Sequence, residues 1–224
     1  MIKNKKAKIL ELGTALKAGE VFASGVSLQQ KLDAVVKIIS DASGSKICAI
    51  MFHNQKENKL SVKASYGLNK DIFNEIDMEL GPKPVEINVL HDNKFLNREI
   101  AEKEELRSMI AVPVLMEDKV AGVLCLYDAP VRKITESEIT ILQIIGNQAI
   151  MAAENANLLK RALDAEEALE SRKLIERAKG ILMKTQGMDE DDAYRTIHRK
   201  SMDIRRSMKE IAEAIILSNE IRIK

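Results

Sequence analysis

Tryptophan is absent from this 224-residue chain, and only three Tyr and four Phe are present. A core with so few rings has to be aliphatic, filled by Ile, Leu, Val, Met and Ala. Cysteine is scarce too: Cys48 and Cys125 each sit inside an apolar run and share no CxxC or metal-ligand spacing. That excludes a disulfide scaffold and a thiolate metal centre, and reads as two buried thiols in a reducing compartment. No apolar run approaches the ~18 residues of a membrane-spanning helix. The basic start MIKNKKAKILELG meets Glu11 and Lys17 without the apolar centre of a signal peptide. The expectation is a cytoplasmic protein with no membrane partner. A strong charge imbalance is also missing: 35 basic residues face 34 acidic ones, for a net charge of +1. Bulk attraction to a polyanion is thereby excluded, so any nucleic-acid site must arise from local clustering.

What is present falls into patterned segments. Residues 4–19 carry Ile9, Leu12, Ala15 and Leu16 at helical spacing, so an N-terminal helix is placed in 1–18 ahead of the first domain. A second helix is expected over 28–40, with Leu32, Val35, Val36 and Ile39 on one stripe and DASGS ending it. The period then changes from helix to strand. KICAIMFHN and the alternating LSVKASYG flank a polar QKENK turn and read as a β-hairpin. The polar stretch 68–105 predicts loops with short helices and a short strand near 85–87. SMIAVPVLME and VAGVLCLYD, joined at Asp118-Lys119, form a second hairpin with the β-branched content of central strands.

Thr135 followed by Glu138 is a capping box and opens a helix. Nothing punctuates the helical pattern before Gly180, and Gly146 is tolerable at modest cost. The stretch is either one helix of more than ~40 residues or two with a short break. Ile144, Met151, Leu158, Ala162, Ala165 and Leu169 follow a spacing near 3.5, interrupted by Gln148 and Asn155. Beyond about residue 156 no sheet remains to be covered, which favours a dimeric coiled coil over 158–171 and a homodimer. The order helix, helix, hairpin, loops, hairpin, long helix is an α+β arrangement: an antiparallel sheet with flanking helices.

Residues 19–157 resemble the GAF domain family. The resemblance rests on SLQQKLDAVVKIISDASGSKICAIMF, LSVKASYGL and above all LRSMIAVPVLMEDKVAGVLCLYD followed by ITESEITILQIIGNQAIMAAENANL. It implies a sensor domain that binds a small-molecule ligand over its sheet or serves dimerisation. No residue names that ligand. Asn93-Lys94-Phe95 matches only the start of a cyclic-nucleotide motif, and ELGPKPVEIN replaces the Gly-rich segment common after the first hairpin. His53 and His91 are isolated, so neither metal nor haem is expected, and no cofactor. The methionine-sulfoxide-reductase branch of the family needs a loop cysteine constellation, whereas Cys48 and Cys125 sit mid-strand. An enzyme is not expected.

Residues 172–224 parse into three helical pieces. The first runs to about Thr185 and ends at Gly187; the second begins after MDEDDAY and reaches about Ser201. MDIRR is a turn, and the third begins near Ser207 with Met208, Ile211, Ala212, Ile215 and Ile216 on one face. Arg172, Lys173, Arg177, Lys179 and Lys184 lie along the first piece, with Arg195, Arg199 and Lys200 on the second. Arg205, Arg206 and Lys209 mark the final turn, while the acids concentrate over 189–192. Phosphate neutralisation needs several Lys or Arg on one surface, and loop bases stack on aromatic or guanidinium planes. The candidate set is therefore Lys179, Lys184, Tyr194, Arg195, Arg199, Lys200, Arg205, Arg206 and Lys209. The competing reading is that these are solvated faces of amphipathic helices, and spacing alone leaves the partner undecided.

The motif is more specific. AKGILMKTQGMDEDDAYRTIHRKSMDIRRSMKEIAEAI resembles the ANTAR domain, a transcription-antitermination module that binds paired RNA hairpins. The resemblance implies RNA contact by Lys179, Arg199, Arg205 and Arg206, and packing roles for Ala178, Gly180, Ile181, Leu182, Ala193, Ile211 and Ala212. His198 stands where the family often has Leu; it either touches RNA or fills a half-buried site. The expected protein is a signal-responsive antitermination regulator binding a two-hairpin leader RNA. The alternative is a ligand-binding or dimerisation scaffold without RNA. No phospho-acceptor pattern of a receiver domain is visible.

Overall fold

The structure is a computed structural model that describes residues 10–54, 57, 59–67, 75–76, 81–88, 105–117, 119–128 and 133–222. The chain divides into two compact units, Met1–Ala156 and Asn157–Lys224.

The first unit begins with α1 (Leu12–Ala23) and α2 (Leu28–Ser43). Six strands follow: β1 (Ile47–Asn54), β2 (Lys59–Tyr66), β3 (Glu75–Ile76), β4 (Val85–Asn88), β5 (Ser108–Met116) and β6 (Lys119–Asp128). They form one antiparallel sheet of order β3-β2-β1-β6-β5-β4. Both expected hairpins and the short strand near 85–87 are in it. On one face Cys48, Ile50, Ile110, Val112, Leu124 and Leu126 pack beneath α1, α2 and the start of a later helix. On the other, Ile47, Ala49, Met51, Met109, Ala111, Val123, Cys125 and Tyr127 form a second buried layer. Burial on both faces explains why these strands read as continuous apolar runs instead of alternating.

Helix ends follow local chemistry. Ser27 and Gln30 form a capping box that opens α2. The helix runs three residues past the expected stop at 40, because Gly44, at φ 72°, is the first residue able to take the left-handed cap; its N–H donates to the Ser40 carbonyl at 2.9 Å. The helix expected over 4–19 starts at Leu12 and continues to Ala23; residues 1–9 lie outside the described residues. Ala15 and Ala18 are buried in the same core as α2, so α1 is part of the sheet unit.

The Thr135–Glu138 capping box is formed: the Thr135 N–H and hydroxyl donate to Glu138 Oε2 at 3.1 and 2.9 Å, and the Glu138 N–H donates to Thr135 Oγ1 at 3.2 Å. The helix it opens, α3 (Glu136–Gln186), is one unbroken element of 51 residues. Gly146 is more than tolerated there. A Cβ at this position would lie 2.3 Å from Val114 Cγ2, so the absent side chain is what lets α3 seat on β5. Gly146→Ala should therefore destabilise the first unit by about 1–3 kcal/mol despite alanine's better helix propensity. A urea unfolding midpoint unchanged or raised would contradict this packing.

The second unit is built from the end of α3, α4 (Glu190–Ile204) and α5 (Met208–Arg222). Ala178, Leu182, Ala193, Ile197, Ile211, Ala212 and Ile216 form its core, ringed by half-buried Leu174, Ile175, Ile181, Met188, Met208 and Ile215. Ala178, Ala193 and Ala212 are wholly buried, one on each helix, which allows close helix approach around a small centre. Gly187 caps α3 at φ 68°, its N–H donating to the Met183 carbonyl at 3.1 Å. The second helix starts inside MDEDDAY and not after it, because Asp189 is its N-cap and accepts from the Asp192 N–H at 2.7 Å. Glu190, Asp191 and Asp192 then fill the first turn, where the helix dipole favours negative charge. Met202, Asp203 and Ile204 remain helical, which shortens the expected MDIRR turn to Arg205–Ser207. Ser207 and Glu210 form a further capping box, at 3.0 Å between hydroxyl and carboxylate, and open α5. Among the described residues no helix is long and apolar enough to cross a membrane.

Candidate nucleic-acid interface

The three-helix unit sorts its basic residues into those held by its own acids and those left outward. Lys179 belongs to the first class. It is 7% exposed, and its Nζ donates to both Glu176 oxygens at 3.0 Å and to Glu190 Oε1 at 2.7 Å. Hydrogen bonding to Glu190, then to Glu176, holds the ammonium above the ordinary lysine range, and the same bond holds the Glu190 carboxyl below the carboxylate range. Lys179 thus pins α3 to the first turn of α4. The ammonium expected to contact RNA therefore has its donors engaged inside the fold. Lys209 is similarly occupied, 3.0 Å from Glu170 Oε2.

The clamp has a pH signature. Glu190's contribution is present above the usual carboxylate pKa of about 4.3 and fades as pH falls through its lowered value. The Lys179 contribution is present below the usual lysine pKa of about 10.4 and fades as pH rises through its raised value. Lys179→Gln should lower the melting temperature of the second unit at neutral pH and flatten its decline at both extremes. Equal melting of variant and wild type at pH 7 in low salt would show that the clamp carries no stability.

Lys184, Arg199, Lys200 and Arg205 are exposed and make no ion pair among the described residues. Arg195 sits 3.9 Å from Asp192, a long and exposed contact, while Arg206 is 2.9 Å from Glu210, one turn along. Such exposed pairs are worth little and are readily exchanged for a phosphate. Tyr194 is 47% exposed, and its ring lies nearly parallel to that of His198, with centroids 6.3 Å apart and planes at 14°. His198 is exposed, so it does not fill a half-buried site. Spacing of i, i+4 along α4 places the two rings on one outward stripe, with Arg195 and Arg199 on the adjoining side of the helix. Ala193, Ile197 and Ser201 face the core.

Arg205 ends the helix with φ 53° and ψ 46°, the left-handed conformation that non-glycine side chains resist. Its charge is legible in the sequence but its backbone is not, the one signal being a helix C-terminus that lacks glycine. Also illegible in the sequence is an open groove of about 550 Å³, lined by Ile181, Ile197, Ile211 and Ile215 together with Arg199 and Lys200. Of the expected packing residues, Ala178, Leu182, Ala193, Ile211 and Ala212 are in the core. Ile181 is half-buried, but Gly180 is exposed, and a Cβ there would meet nothing within 4 Å.

In the sheet unit Cys48 and Cys125 are fully buried. Burial pushes both thiols up, Cys125 to about 12, so neither supplies a thiolate at neutral pH. His53 stands on β1 beside no cluster of metal-ligating groups among the described residues. His91 and Asn93-Lys94-Phe95 lie outside the described residues.

Comparison with known proteins agrees with this division. The GAF domain family matches residues 27–153, more than half of the chain, and the ANTAR domain matches residues 163–216. The chain belongs to the GAF family and carries a C-terminal ANTAR domain. The GAF domain shares its fold with that of an Acinetobacter phosphoenolpyruvate-protein phosphotransferase, at a TM-score of 0.56 and 22% identity over 67% of this chain and 96% of that one. The ANTAR segment is 52% identical over 50 residues to the transcriptional regulatory protein PdtaR of Mycobacterium tuberculosis, 22% of this chain and 24% of that protein. It is 42% identical over 65 residues to the nitrate regulatory protein of Klebsiella oxytoca, 29% of this chain and 16% of that protein. The chain thus spans about a quarter or less of the regulators it matches.

Proposed function

We propose that this protein is a cytoplasmic, signal-responsive regulator of transcription antitermination, in which the GAF domain controls binding of the ANTAR module to paired hairpins in nascent RNA. The observation that carries the reading is the outward surface of α4 and the turn after it. There Arg199, Lys200 and Arg205 stand free of ion pairs, beside a Tyr194–His198 ring pair able to stack a splayed base. A solvated helix face normally mixes acids among its bases; here Glu190 and Glu210 are taken up by intramolecular bonds, while Asp191 and Asp203 stay exposed. The contact set is Lys184, Tyr194, Arg195, Arg199, Lys200, Arg205 and Arg206, with His198 added and Lys179 and Lys209 removed.

A homodimer supplies two modules for two hairpins. Residues 157–170 of α3 are exposed throughout, yet they include Leu158, Leu159, Leu163 and Leu169 at 51–62% exposure. An apolar stripe near heptad spacing, with Asn155 beside it, suits a parallel coiled coil with a second copy. The division then runs as a sensor that takes in α1 and ends near 157, a stalk over 158–171 and an RNA-binding module over 172–224. A small-molecule ligand of the GAF domain would act by binding one state of the dimer better than the other, and a shift from 1% to 99% needs a differential affinity of about 5.5 kcal/mol. The chemistry is binding alone; no residue is assigned a catalytic role.

The test is a mobility-shift titration of the full chain with a two-hairpin leader RNA. Arg205→Ala combined with Arg206→Ala should weaken binding by about 1–3 kcal/mol per arginine. Wild type binding no better than the double variant would refute the assignment.

A further inference from the structure

Gly180 has no intramolecular reason to be glycine. It sits inside α3, not at its end, and its φ is not in the left-handed region. It is exposed, and the space a Cβ would occupy is empty. Glycine is the worst helix former after proline, because it gives up the most backbone freedom and fills nothing. What it offers at such a place is a bare helix surface that another backbone can approach closely.

The surroundings say what kind of backbone. At 100° per residue, Gly180 lies about 160° round α3 from the buried Ala178, and Lys173, Arg177 and Lys184 fall within about 60° of it. Lys173 and Lys184 are exposed without ion pairs among the described residues. Arg177 is bonded to Glu220 at 2.9 Å, both side chains being more than half exposed, so that pair can open to a phosphate. The sole acid from 172 to 186 is Glu176, and Lys179 holds its carboxylate. A symmetric copy of the same helix would bring like charges together here, which disfavours a second copy of this chain as the occupant.

We propose that the outer face of α3, centred on Gly180 and flanked by Lys173, Arg177 and Lys184, is a second nucleic-acid contact: a groove-free seat for the sugar-phosphate backbone of the RNA. The inference rests on the RNA-binding reading of the ANTAR module and extends it from the α4 corner to a face of α3 that shares Lys184 with the contact set and adds Lys173, Arg177 and the bare backbone at Gly180. Lys173 and Lys184 are about 16 Å apart along the helix, enough to follow one strand past several phosphates. The contact reads backbone, so it strengthens binding without regard to loop sequence.

Gly180→Ala in the full chain is the test, because structure and binding move in opposite directions. The variant should melt at the same temperature as wild type or higher, since alanine favours the helix and clashes with nothing. Its affinity for a two-hairpin RNA should fall about tenfold or more. Lys173→Gln with Lys184→Gln should weaken binding comparably and reduce the slope of log affinity against log salt by about 1.4, at roughly 0.7 per phosphate contact. Full affinity in Gly180→Ala with wild-type RNA binding intact overturns this surface and leaves the α4 corner standing. A change in sedimentation with no change in RNA affinity also overturns it, assigning the face to a second copy. Wild type that fails to bind the RNA at all overturns both readings together.

Discussion

Arg205→Gly is expected to make the ANTAR module more stable and its hold on RNA weaker. The gain follows from the backbone: at φ 53° and ψ 46° an arginine suffers a contact between Cβ and carbonyl that costs about 1–2 kcal/mol. Glycine adopts that conformation freely and is the usual residue at helix C-termini. Part of the gain is offset by the unfolded chain's greater freedom, leaving a net increase of about 1 kcal/mol in unfolding free energy. The loss follows from the side chain, which is exposed, free of ion pairs and next to Arg206 at the end of the α4 surface. Strain of this kind persists where a side chain is needed for something other than the fold. The comparison to make is chemical denaturation beside an RNA titration, with Arg205→Lys as the third arm. If glycine is stabilising and binds RNA normally, Arg205 is no part of the interface.

The second large effect is in the core of the same module. Ile197 is completely buried where α4 meets α3 and α5, alongside Leu182 and Ile211. Truncation to alanine leaves a cavity and should cost about 2–5 kcal/mol. Among the described residues the module's core holds seven buried side chains, and small units of this kind have only a few kcal/mol in hand. Ile197→Ala should therefore unfold the ANTAR module at 37 °C and abolish RNA binding, while the GAF sheet retains its own transition. Two-phase melting by circular dichroism, with only the first phase displaced, is the expected record. A single cooperative transition shifted as a whole would mean that the two units fold as one.

Much of this architecture was legible before any coordinates. Continuous apolar runs mark β1, β5 and β6, because strands buried on both faces have no solvent side on which to alternate. Thr135 with Glu138, and Gly44 and Gly187 at helix ends, are local signals whose partners lie within a turn. Other features needed distant partners. Whether α3 broke near its middle could not be settled from its own pattern, and Gly146 looked like a small defect until Val114 was found against it. Basic residues looked alike along the chain; only the position of Glu176 and Glu190 separated Lys179, a clamp, from Arg199 and Arg205, which are free.

By itself, then, the amino-acid order determined the period of the elements, several of their caps and the families that the two segments resemble. These depend on contacts within a few residues or on a long shared pattern. Tertiary structure alone decided which cations face outward, that His198 stacks on Tyr194 instead of filling the interior, and that Gly180 packs against nothing. The physical reason is that a charge is withheld from a ligand when packing buries it against carboxylates, as with Lys179, and that burial is set by how the helices meet.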